Sequence, residues 1–102
     1  MDIKPDNILL GSGNRTRLDS SQILLIDYGI SKRYLNEMND HIEENDSVPF
    51  SGNLLFASKN SFMLKEQSRR DDLISLVYFI AFLVNGELTW LKNLRHYDPK
   101  FF

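Results

Sequence analysis

The sequence predicts an α+β fold, and three observations predict it. Two short apolar runs, Ile8-Leu9-Leu10 and Ile23-Leu24-Leu25-Ile26, flank a polar stretch that opens on the turn cluster Gly11-Ser12-Gly13-Asn14. Strands of that length joined through a turn make a small antiparallel ribbon. From Asp71 onward the period changes. Leu73, Leu76, Val77, Ile80, Leu83 and Val84 recur at i, i+3, i+4, i+7, which is helical spacing. Between ribbon and helix, residues 31–51 are polar and weakly periodic, the pattern of a long surface loop.

Composition narrows the class further. A chain of 102 residues supports one small domain with a modest core. With 42% hydrophobic and 25% charged residues it has the balance of a soluble globular protein. A net charge of -2 supplies no basic field for nucleic acid or an anionic membrane. Cysteine is absent, which excludes disulfides and thiolate metal sites and fits an intracellular chain, cytoplasmic or nuclear. The N-terminal residues lack a signal-peptide core, and the apolar run over 73–84 is shorter than the roughly 20 residues of a membrane span.

Each element follows in order. Pro5 pushes Lys4 away from helical geometry, so the chain opens as a loop. The ribbon then places Asn7 just before its first strand and Asp27 just after its second, which brings both to one end. Glu43, Glu44 and Asp46 make the following loop acidic. Phe79 and Phe82 flank the apolar stripe of the helix, leaving it apolar almost all round and therefore expected to be central and mostly buried. Asn85-Gly86 ends it with a residue suited to a left-handed cap. Pro99 leaves open whether the tail after Trp90 begins another helix. His41 and His96 have no ligand spacing and read as surface residues. Tyr78, Phe79, Phe82 and Trp90 read as core. Gly11-Ser12-Gly13 reads as a turn rather than a phosphate cradle, because no helix follows it.

Two short segments carry chemistry: Asp2-Ile3-Lys4-Pro5-Asp6-Asn7 and Asp27-Tyr28-Gly29. A carboxylate at Asp2 can take or orient the proton of an attacking hydroxyl, and Lys4 can neutralise charge on a phosphoryl group in transfer. Asn7 offers a neutral carbonyl oxygen and Asp27 a charged one, both hard ligands suited to magnesium. Gly29 is expected to permit the backbone turn that aims Asp27. The D-x-x-x-x-N spacing is that of a protein-kinase catalytic loop, and Asp27-Tyr28-Gly29 stands where a kinase carries D-F-G.

The string Glu66-Gln67-Ser68-Arg69-Arg70-Asp71-Asp72-Leu73 resembles the E-Q-S-R-R-D-D-L segment of casein kinase I. Asp2 to Asn7 resembles that family's D-I-K-P-[DE]-N. Gly86-Glu87-Leu88-Thr89-Trp90 is similar to its G-x-L-P-W. Ala57-Ser58-Lys59-Asn60 stands where it has A-S-I-N in place of the A-P-E of other kinases. The resemblance spans nearly the whole chain and implies that residues 1–102 are part of a kinase domain, the C-terminal lobe from the catalytic loop to its central helix. It implies a serine/threonine kinase acting on protein substrates with ATP and Mg2+. Asp2 would be the proton acceptor, Lys4 the phosphate-contacting lysine, and Asn7 and Asp27 the magnesium and nucleotide ligands. Asp72 would be the buried carboxylate that ties down the catalytic-loop backbone.

The departures set further expectations. Met1 stands at the Arg of H-R-D, Tyr28 at the Phe of D-F-G, Asn53 at a Thr, Leu55 at an Arg of an anion-receiving patch, and Val77 at a Gly. Tyr28 adds a hydroxyl that needs a partner. Leu55 and the acidic loop argue against acidic or pre-phosphorylated substrates, which like charges repel. These residues contain no G-x-G-x-x-G and no V-A-x-K string, the parts that hold the nucleotide from the N-terminal lobe. The chain alone is therefore expected to bind Mg-ATP weakly, to transfer no detectable phosphate, and to expose apolar surface that an N-terminal lobe or a partner covers. A non-catalytic kinase-like interaction module and a truncated form of a longer product remain the alternatives.

Overall fold

The computed structural model describes residues 1–11 and 22–90. In chain order these form a single 3-10 turn at Pro5–Asn7, strands β1 (Ile8–Leu10) and β2 (Ile23–Leu25), a short helix α1 (Lys59–Phe62) and a long helix α2 (Arg69–Asn85). The mixed α and β content agrees with the expected class. Most of the Gly11-Ser12-Gly13-Asn14 turn, His96 and the tail after Trp90 lie outside the described residues.

Lys4 is extended at φ -155 and ψ 164, as the following proline requires. Pro5 nevertheless opens a helical turn, because its fixed φ suits a first helical position and its missing N–H costs nothing there. β1 and β2 pair antiparallel in the register Ile8↔Leu25, Leu9↔Leu24, Leu10↔Ile23. The Ile26 N–H donates to Asn7 O at 2.9 Å, extending the ladder beyond the strands toward the site.

The segment between β2 and α1 is the surface loop the sequence predicts, and asparagines organise much of it. Asn36 Oδ1 accepts from the Met38 and Asp40 amides, Asn45 Oδ1 from Ser47, and Asn53 Oδ1 from Leu55. Such side-chain bonds supply the acceptors that a loop lacks from a sheet. An isolated bridge joins Leu35 to His41, which is exposed, and the Arg69 guanidinium lies 4.2 Å from the Tyr34 ring centre.

α2 begins before Asp71, at Arg69, because Asp71 Oδ2 accepts from the Ser68 N–H at 2.8 Å and caps the first turn. It ends as expected, with Gly86 left-handed at φ 72 and its N–H bonded to Phe82 O. The expected burial of α2 is not observed. Leu73, Val77, Leu83 and Val84 are 61–78% exposed, and Ile80 is half exposed. The cause is visible in the sequence pattern: a helix apolar on every side leaves an apolar face open whenever one layer packs on it. Here the inner layer is thin. Only Phe56 and Leu88 are fully buried apolar residues among those described. Phe56 meets Phe82 edge-on at 5.8 Å, Tyr78 meets Trp90 at 4.9 Å, and Trp90 Nε1 donates to Leu55 O. None of the described helices is long and apolar enough to cross a membrane.

Candidate functional site

The site is built on the opening segment. The Asn7 N–H closes the 3-10 turn on Lys4 O at 3.0 Å, and the Asn7 side-chain NH2 donates to Asp2 O at 2.8 Å. Asn7 is buried, and these bonds close residues 2–7 into one loop. With its amide donor committed to Asp2, Asn7 keeps its carbonyl oxygen as the atom able to ligate a cation.

Asp2 and Lys4 face each other, with Oδ2 and Nζ 3.1 Å apart. The other carboxylate oxygen, Asp2 Oδ1, is buried and takes no hydrogen bond. Asp2 lines a small cleft together with Ser51, Gly52, Asn53, Phe56 and Gln67. Gly52, at φ 109, is a backbone position that favours glycine, and a Cβ there would stand 4.0 Å from Asp2 Oδ1. A buried carboxylate oxygen without a donor is costly, on the order of 1–3 kcal/mol, unless a donor from outside fills it.

Asp27 follows β2 in the left-handed region at φ 62, a conformation that Asp tolerates better than most residues. The expectation for Gly29 needs correction, since the positive φ falls on Asp27 itself. Gly29 provides room instead: a Cβ on it would lie 3.1 Å from Asp27 Oδ1, which already accepts the Gly29 N–H at 3.1 Å. The Tyr28 hydroxyl finds its partner in Leu25 O at 2.9 Å. The Ile26–Asn7 backbone bond sets Asn7 one residue from Asp27 across the ladder, and Asp27 is exposed. A carboxylate and an amide carbonyl at one ribbon end are a donor set that fits magnesium completed by phosphate oxygens. Among the described residues no group of three or more His, Cys, Asp or Glu stands together as a ready-made metal cage.

Two carboxylates at the head of α2 divide the anchoring role expected of one. Asp72 Oδ1 pairs with the terminal ammonium of Met1 at 2.8 Å, and Asp72 is only part-buried. The fully buried carboxylate is Asp71. Its Oδ1 accepts from Ser58 Oγ at 2.6 Å and Asn60 Nδ2 at 3.0 Å, and its Oδ2 from Ser68 N. Burial pushes the Asp71 carboxyl up, but the bonds from Ser58, Ser68 and Asn60, with the nearby Arg70 charge, outweigh it and hold the group below its ordinary value. Asp71 thereby locks α1 and the residues before it onto α2. The signal was present as the Ser-x-x-Asp spacing of Ser68 and Asp71, a helix-capping pattern.

The acidic loop is also not a free anionic patch. Lys65 Nζ lies 3.3 Å from Glu44 and 3.4 Å from Asp46, and Arg70 lies 3.6 Å from Glu44. No protein-family model matches the chain.

Proposed function

We propose that residues 1–102 are the C-terminal-lobe part of a serine/threonine protein kinase domain of casein kinase I type, which moves a phosphoryl group from ATP to a protein hydroxyl. The observation that carries this reading is Asp2, which lines a cleft, pairs with Lys4 through Oδ2 and keeps Oδ1 buried without a donor. A substrate hydroxyl seated against Gly52 and Asn53 donates to that oxygen, which orients it for attack and takes its proton. Lys4, held 3.1 Å from the other oxygen, presents positive charge where the transferred group gains negative charge. Asn7 and Asp27 would hold magnesium on the nucleotide phosphates, where the ion neutralises their charge. The Asn7 side chain, bonded to Asp2 O, helps to hold Asp2 in position in the loop.

Phosphoryl transfer from radiolabelled ATP to serine and threonine peptides tests the reading. The 102-residue chain alone transfers nothing detectable. Joined behind a kinase N-terminal lobe it transfers phosphate, and Asp2→Asn abolishes the signal. Equal transfer by parent and D2N would refute the assignment.

The exposed apolar face of α2 favours a second reading, a kinase-like module that binds a partner without catalysis. Under it, the lobe-joined protein binds through that face and D2N changes nothing.

A further inference from the structure

The loop that walls the Asp2 cleft is fastened to residues 64–67, the stretch before α2, by bonds of two kinds. Two are backbone bonds: Val48 N–H to Leu64 O at 3.0 Å and Glu66 N–H to Asn45 O at 2.7 Å. Between them sits Lys65, whose ammonium bridges Glu44 and Asp46, while Arg70 reaches Glu44 from the first turn of α2. Gln67 then donates to Ser51 O at 3.1 Å, the residue immediately before Gly52 and Asn53. The elbow of this arrangement is Leu64, held at φ 55. A branched residue in that region is strained and stays there only when its surroundings fix it. Here they do: Leu64 N–H bonds to Ser61 O, Lys65 N–H to Asn60 O, and Leu64 O receives Val48.

We infer that Lys65 is a positioning residue: with Glu44, Asp46 and Arg70 it forms an ionic latch that holds residues 44–53 in the arrangement that walls the Asp2 cleft. Lys65 and Arg70 are the cations of this network that face residues 44–46, and Glu44 and Asp46 already pair with them. The latch therefore keeps Lys65 and Arg70 neutralised by Glu44 and Asp46, which disfavours a substrate that carries acidic residues past residues 44–46. That consequence for substrate choice rests on the kinase reading. The latch itself does not, and its test reads structure rather than activity.

The experiment is amide hydrogen exchange at Val48 and Glu66 in the full chain, at low salt and in 1 M NaCl. The probes are wild type, Lys65→Met and Lys65→Arg. Exposed ion pairs are individually weak, so the network as a whole is expected to contribute about a fivefold protection of those two amides at low salt. K65M loses most of that protection and keeps only the salt dependence of the remaining Arg70–Glu44 pair. K65R keeps it, and wild type loses it in high salt as the pairs are screened. Equal protection in K65M and wild type overturns the latch. So does a K65R that behaves like K65M, since charge would then not be what holds the loop. A failed latch leaves the Asp2 assignment standing, because D2N transfer activity is measured separately.

Discussion

Replacing Asp71 with Asn tests the packing argument at its most constrained point. The side chain is 2% exposed and accepts three hydrogen bonds, two on Oδ1 and one on Oδ2. Asparagine keeps the shape but turns one of those oxygens into an NH2 donor. If the NH2 takes the Oδ2 place it faces the Ser68 N–H, and if it takes the Oδ1 place it faces the Asn60 NH2. Either way two donors meet in a buried position, and the remaining bonds lose their charge assistance. The cost of one lost charged bond plus one unsatisfied donor is about 2–3 kcal/mol. Against a total stability of about 5–15 kcal/mol for a chain of this length, that is a large fraction. It corresponds to a fall of about 10–20 °C in Tm and of about 1–2 M in the urea midpoint. Circular dichroism at the helix minimum during urea unfolding of D71N and wild type reads it directly. A D71N protein within 0.5 kcal/mol of wild type would refute the argument that these bonds lock α1 to α2.

Acid stability follows from the same group. The folded-state Asp71 carboxyl titrates below its unfolded value, so its stabilisation is complete above the ordinary range near pH ~4 and is lost as pH falls through the lower folded value. Urea midpoints below that range should fall in wild type and stay flatter in D71N. Gly29→Ala should leave the fold intact but push on Asp27 Oδ1, 3.1 Å from the added carbon, and weaken Mg-ATP binding several-fold by calorimetry. Val84→Lys, at a position 78% exposed, should cost less than about 0.5 kcal/mol and improve solubility. A loss beyond 1 kcal/mol there would mean the outer face of α2 is covered.

What was legible in the sequence is what local rules govern. Apolar runs placed the two strands of the ribbon, and Asn85-Gly86 placed the end of α2, because caps and short strands depend on near neighbours. The burial of α2 was not legible, since periodicity says which residues are apolar and not what covers them. The D-x-x-x-x-N spacing singled out Asp2, Lys4 and Asn7, which the structure joins in one loop, but the approach of Gly52 to Asp2 Oδ1 comes from a distant stretch that only the folded chain brings there. Adjacent acids at 71 and 72 look equivalent in sequence. Which one is buried is decided by Ser58 and Asn60, residues from another element. The acidic loop looked like an open charged surface because Lys65 and Arg70 meet it only through tertiary structure.

The central claim is that Asp2, Asn7 and Asp27 form one nucleotide-facing site, and a two-dimensional NMR titration of the 102-residue chain with Mg-ATP tests it most directly. The account predicts weak, saturable shifts confined to the amides of residues 2–8 and 26–29, lost in Asp27→Asn and absent when ATP is added with a chelator. Shifts elsewhere in the chain, or none in those two segments at saturating nucleotide, would contradict it.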